Sequence, residues 1–142
     1  MKFWDSSAVV SLCVEEPRSG AMRSVLRDDS SIATWWTTRT ECLFGLMRRS
    51  RERSIGASGL ADARAVLMTL AVSWIEVQPS ETVRSAAERL LGVHPLRAGD
   101  ALQLAAALQW CRGQTDGAEI VSFDARLREA AFREGFAVLP SR

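Results

Sequence analysis

Two kinds of hydrophobic pattern alternate along the chain. Short apolar runs occur at KFW, SIAT, WIEV, EIVSF and FAVL, and each reads as a strand of three to five residues. Between them, apolar residues recur every three or four positions. These stretches predict helices in SAVVSLCV, after Pro17, and in TTRTECLFGLMRRSR, LADARAVLMTL, SETVRSAAERLL, DALQLAAALQW and DARLREAAFREG. Strands alternating with helices argue for βαβ units, so the expected class is α/β: a three-layer α/β/α sandwich around a mostly parallel sheet of four to five strands. The strand segments are mostly apolar, as strands covered on both faces should be. The helix DALQLAAALQW is apolar nearly all round, and Ala105, Ala106 and Ala107 leave room for close backbone approach, which predicts burial against the sheet. Gly92 with Pro95, and Gly135, are expected to stop their helices.

Composition narrows the picture. The 142 residues suit one domain over 1–142, and 47% hydrophobic with 25% charged residues is ordinary for a soluble globular chain. A net charge of +1 excludes a surface that coats polyanions broadly, so any nucleic-acid contact must be local. Cys13, Cys42 and Cys111 are odd in number and sit in apolar helical surroundings, which predicts reduced thiols and a cytoplasmic protein. No apolar run reaches the length of a membrane span, and Asp5 interrupts the N-terminus before a signal sequence can form.

The candidate chemistry lies in four acids. In open α/β sheets, ligands bind beyond the carboxyl ends of the strands, where the chain turns into helices. Asp5 ends KFW, Asp124 ends EIVSF, Asp100 opens the buried helix, and Glu41 lies in the first turns of the helix after SIATWW. Each has a plainer reading as well. Asp100 and Asp124 suit N-caps, and Thr38-x-x-Glu41 fits a capping box. If the four converge to about 5 Å, each pair repels by about 3 kcal/mol at an effective dielectric of about 20, so such a group requires protons or cations. Carboxylate oxygens at that spacing suit Mg²⁺ or Mn²⁺, which favour octahedral oxygen shells and keep several waters.

The ordered pieces DSS, TECLFGL, RAGDALQLA and VSFD resemble the PIN-domain family, and within it the VapC-type toxins of toxin–antitoxin systems. The resemblance runs along essentially the whole chain, and RAGDALQLAAAL is its most specific part. It implies that Asp5, Glu41, Asp100 and Asp124 form an acidic quartet holding one or two Mg²⁺ or Mn²⁺ ions, with Ser6 and Ser122 in support. Asp116 is the alternative fourth acid if Asp124 only caps its helix. The resemblance further implies an endoribonuclease, commonly homodimeric, whose acidic site a cognate antitoxin of the VapB type blocks.

Other residues remain open between substrate contact and structure. Arg48 and Arg49, in a basic helix end, and Arg97, beside Asp100, are candidates for RNA phosphate or antitoxin contact. Trp35 and Trp36 suit either base stacking or packing. The only histidine, His94, reads as a structural or solvated loop residue. Three rivals stand beside the ribonuclease. A phosphotransfer site wants a second acid near Asp5 and a late lysine, but Ser7 takes that place and Lys2 is the only lysine. Structure-specific DNA cleavage stays open, since discrimination runs through the 2′-OH. A non-catalytic PIN-like module would have no need of all four acids.

Overall fold

The computed structural model describes residues 1–141. Five strands, β1 (Lys2–Trp4), β2 (Ile32–Trp35), β3 (Ile75–Val77), β4 (Glu119–Val121) and β5 (Ala137–Leu139), form one sheet in the order β3-β2-β1-β4-β5, and every pairing is parallel. The helices are α1 (Ser6–Cys13), α2 (Ser19–Asp28), α3 (Thr38–Arg51), α4 (Ala57–Ser73), α5 (Glu81–Val93), α6 (Ala98–Trp110) and α7 (Ala125–Arg133).

Two cores sit on the two faces of this sheet. Successive side chains of a strand point to opposite faces, so Phe3 enters one core and its neighbour Trp4 the other. Phe3, Ala33, Trp35 and Ile120 pack against α5, α6 and α7. Trp4, Ile32 and Val121 pack against α1 to α4. Complete burial of an aromatic side chain is worth about 2–3 kcal/mol, so the two aromatics of the central strand tie both layers to the sheet. The arrangement is the expected three-layer α/β/α sandwich. Ala101, Ala105, Ala106 and Ala107 of α6 are fully buried against the sheet and α5, as the apolar sequence DALQLAAALQW predicts.

Several boundaries differ from expectation for identifiable reasons. Strand β2 continues through Trp35, because its ladder with β3 pairs Trp35 with Val77. Helix α6 starts at Ala98, so Asp100 lies in its first turn and Arg97 holds the cap position. Gly92 does not stop α5; the helix runs on to Val93 and ends where Pro95 forbids continuation. Gly135 does follow α7, at φ +100°, and a Cβ there would meet Thr115 Oγ1 at 2.5 Å. His94 is buried rather than solvated. Its Nε2 lies 2.8 Å from Glu134, which also pairs with Arg89 at 2.7 Å and so fastens the end of α5 to the end of α7.

The chain order also fixes where a ligand can enter. From β1 the chain passes to helices on one face and from β4 to α7 on the other, so the sheet switches direction between these adjacent strands. Connections leaving to opposite faces open a crevice at the carboxyl ends of the strands.

Candidate active site

Asp5 and Asp124 follow the two strands that flank this crevice. Asp5 is 4% exposed and occupies the cap position of α1, yet its side chain caps nothing. Its Oδ2 accepts hydrogen bonds from Ser7 Oγ at 2.5 Å and Ser122 Oγ at 2.8 Å, while Oδ1 receives only Ser6 Oγ at 3.4 Å. Ser7 therefore holds Asp5 more closely than Ser6 does. The clue in the sequence was the second serine of DSS, which the first turn of α1 brings back over the carboxylate. Ser7 also accepts the Phe123 N–H at 2.9 Å, and Ser122 Oγ accepts the Asp124 N–H at 3.1 Å, so the ends of β1 and β4 are joined through these hydroxyls.

Asp124 caps α7, its Oδ1 accepting the Leu127 N–H at 2.8 Å. This cap leaves the second oxygen uncommitted. Asp116 lies in the turn before β4, at the amino-terminal end of that strand, and is exposed. The structure thus separates it from the other acids.

Glu41 does not form the capping box. Its Oε1 accepts Thr37 Oγ1 at 2.7 Å, and its Oε2 accepts Gln103 Nε2 at 2.9 Å. Gln103 is 2% exposed, also donates to Thr38 Oγ1 at 3.1 Å, and leaves its own Oε1 without a partner. Helix α6 therefore contributes twice, presenting Asp100 from its first turn and steadying Glu41 from its second. Gln103 carried no signal in the sequence beyond being a polar residue on an apolar helix.

Electrostatics links the acids. Burial is the main cause that raises the Asp5 carboxyl above its ordinary range, opposed by the Ser7 and Ser122 hydroxyls and reinforced by the charges of Glu41 and Asp124. Burial likewise leads in raising Asp100, followed by the charges of Asp124 and Asp5, with the Arg97 amide acting in the other direction and Glu41 adding to the rise. The charges of Glu41 and Asp124 thus act on Asp5, and those of Asp124, Asp5 and Glu41 act on Asp100.

An open cleft of about 330 Å³ lies over Asp100 and Asp124, and Arg97 and Arg126 also line it. Arg126, two residues after Asp124, was missed in the sequence. A second hollow, lined by Ser6, Ser7, Glu41, Phe44 and Arg48, approaches the acids from α3. Arg49 is drawn away by Glu16 at 2.7 Å and the Gly45 carbonyl at 2.9 Å, whereas Arg48 is exposed with no ion-pair partner among the described residues. The two tryptophans divide, Trp35 being 4% exposed and Trp36 52% exposed.

Among the described residues, no three Asp, Glu, His or Cys side chains close into a ready-made metal cage. The local bonds explain this, because each carboxylate turns to its own hydroxyl, amide or helix-cap donor. The donor set nonetheless suits a hard divalent ion. It is all oxygen, its acids act on one another, and Asp5 Oδ1 has only a long hydrogen bond.

Comparison with known proteins agrees with this architecture. Among solved structures, VapC20 of Mycobacterium tuberculosis, described as a Sarcin-Ricin loop cleaving toxin, superposes with a TM-score of 0.68 at 18% identity, over 92% of this chain and 95% of that one. VapBC2 from Rickettsia felis, bound to a DNA fragment from its promoter, gives 0.66 at 10% identity over 96% of both chains. FitAcB from Neisseria gonorrhoeae gives 0.65 at 14% identity, over 97% and 96%. No curated protein matches significantly in sequence. These identities establish the fold alone. The family profile of the PIN domain matches residues 2–133, spanning every strand of the crevice and all four acids, and the chain belongs to the PIN-domain family.

Proposed function

We propose that the protein is a metal-dependent endoribonuclease acting as the toxin of a VapBC-type pair. It hydrolyses phosphodiester bonds in a structured RNA of the tRNA or rRNA class. The observation that carries this reading is the placement of Asp5, Glu41, Asp100 and Asp124 where strands give way to helices around the sheet's switch point, with Asp5 buried and held there by Ser7 and Ser122. Family membership and likeness to toxins of this kind support it, including one described as cleaving the Sarcin-Ricin loop.

Asp5 and Asp100, with Glu41 and Asp124, would hold one or two Mg²⁺ or Mn²⁺ ions, which would supply Lewis-acid activation of water and neutralise charge on the scissile phosphate. Ser7 and Ser122 fix the Asp5 carboxylate through Oδ2. The oxygen of Asp124 that does not cap α7 orients the attacking water. Arg97 and Arg126, in the cleft beside Asp100, hold the phosphate while the water oxygen forms its bond to phosphorus and the ester oxygen leaves with a proton. A cognate VapB-type antitoxin restrains the enzyme by occupying this basic and acidic cleft. The protein works as a homodimer in the cytoplasm, where its RNA substrate lies; among the described residues no helix is long and apolar enough to cross a membrane.

The test is incubation of the protein, freed of any inhibitor, with total cellular RNA and Mg²⁺ or Mn²⁺, with and without EDTA, beside D100N. Discrete cuts that need the ion and vanish in D100N support the reading. Cleavage that survives EDTA would refute the metal mechanism, and intact RNA throughout would refute the nuclease.

A further inference from the structure

A groove of about 450 Å³ runs beside the acids, lined in part by Trp35, Trp36, Thr37, Arg84 and Leu102. It touches the site through one residue. Thr37 lines the groove and donates its hydroxyl to Glu41 at 2.7 Å, so an object in the groove sits one side chain from the carboxylate cluster. Helix α6 separates this groove from the arginine cleft. Asp100 faces the cleft and Leu102 the groove, and two residues on a helix turn through about 200°, which places the two recesses on opposite flanks of the same first turns.

The groove's exposed wall is Trp36. At 52% exposed it is among the large apolar side chains left in water. Its backbone is fixed nonetheless. The Trp36 N–H donates to the Val77 carbonyl at 3.0 Å, prolonging the β2–β3 ladder by one bond, while Trp35 points into the core beside it. An aromatic ring on an anchored backbone, with two side-chain torsions to order, is a rigid platform that loses little entropy on binding a flat partner. The indole Nε1 of Trp35, in the lining of the same groove, is a buried donor without a partner.

We propose that this groove is a nucleobase subsite, in which Trp36 stacks an unpaired base of the RNA strand next to the phosphate held over the acids. The inference rests on the ribonuclease reading above and adds a determinant of where the strand is cut. An extended strand whose phosphates lie in the cleft of Arg97 and Arg126 crosses the first turns of α6 and delivers a neighbouring base to Trp36. The platform reads unpaired character rather than base identity, since every base offers a π-face. Cutting is therefore directed to loops and bulges.

The test measures binding and cutting separately. In the D100N background with EDTA, anisotropy of a fluorescein-labelled single-stranded RNA dodecamer gives the affinity without cleavage. Adding W36A is expected to weaken binding about tenfold or more, and adding W36F by less than about threefold. The slope of affinity against salt should stay unchanged in both, because no phosphate contact is lost. An oligomer of the same length with abasic positions should bind alike with and without W36A. Equal affinities with and without W36A would overturn the subsite, as would a variant whose only change is its sedimentation, which would assign the ring to contact between copies. If the wild-type protein still cuts total RNA when W36A proves silent, the subsite fails alone. If the D100N parent binds no RNA and the wild type cuts none, the ribonuclease reading fails with it.

Discussion

Both ends of the sheet gather acids, and the protein treats them in opposite ways. At the amino-terminal end, Asp29 and Glu119 share Lys2, at 3.9 Å and 3.4 Å, and Asp29 also pairs with the N-terminal ammonium. The hydrogen bond from that ammonium, with help from the Ser31 amide, holds Asp29 below the usual carboxylate range. At the carboxyl end, burial together with the charges of neighbouring acids pushes Asp5 and Asp100 up. The first end is paired within the chain. At the second the acids act on one another, and acids perturbed in this way mark a candidate functional site. The comparison sets charge paired for stability against charge that, on the function proposed above, serves chemistry.

The sharpest break of this comparison is removal of one charge from the carboxyl end. D100N should lower metal-dependent RNA cleavage by about a thousandfold, since it removes an anionic oxygen from the proposed ion shell. In EDTA the same substitution should raise the melting temperature, because it relieves repulsion from Asp5, Asp124 and Glu41. Cleavage assays and thermal melts on one preparation check both halves. A variant that lost activity and stability together would place Asp100 among ordinary structural residues.

The serines test how the buried carboxylate is held. S7A and S122A each remove a hydroxyl bound to Asp5 Oδ2, and each should cost about 10- to 100-fold in activity or in the Mn²⁺ concentration needed for half-maximal rate. S6A, whose hydroxyl is 3.4 Å from Oδ1, should cost less than either. Titration of the rate with Mn²⁺ separates the three, and an S6A defect equal to that of S7A would contradict the geometry.

At the opposite end, K2M should act on stability alone. Lys2 is 7% exposed, so its removal strands Glu119 and leaves Asp29 with the N-terminus and the Ser31 amide. Because both acids are partly solvated, a loss of about 1 kcal/mol in urea unfolding is expected, with cleavage per folded molecule unchanged. A selective loss of cleavage in K2M would remove the distinction between the two ends.

Much of this division was written in local sequence, and the rest depended on distance along the chain. The mostly apolar strands indicated cover on both faces, and the two cores follow because neighbours such as Phe3 and Trp4 point to opposite sides. The placement of Asp5 and Asp124 followed from strand ends. What stayed open has the opposite character. Whether Glu41 caps its own helix or turns to Gln103 is decided by a residue 62 positions away. His94 does lie in a loop, but whether it is structural or solvated is settled by Glu134, its partner 40 positions downstream. The tryptophan pair was ambiguous only while β2 was ended at Thr34; one more strand residue sends Trp35 inward and Trp36 out. Ser7 and Arg126 were legible in principle, each lying two residues from an acid that had been identified.

The mildest test uses pH, and its sign follows from the two ends. Asp5 and Asp100 have folded values above the ordinary aspartate value, so between the two the folded state binds more protons than the unfolded state. Stability therefore falls as pH rises through that window, and the full penalty is present once both groups are ionised. Asp29 works the other way: its folded value is lowered, so its contribution is present above the unfolded value and disappears as pH falls through the folded one. In EDTA the melting temperature should accordingly decline as pH rises above the ordinary aspartate value through the raised ones. Saturating Mn²⁺ should flatten or reverse the decline, because an ion that requires ionised carboxylates binds the folded state more tightly as pH rises. D100N should weaken the decline in EDTA, and K2M should leave it in place. A metal-free protein with no such decline, or one on which Mn²⁺ acts equally at every pH, would mean that the carboxyl end is as self-sufficient as the end built around Lys2.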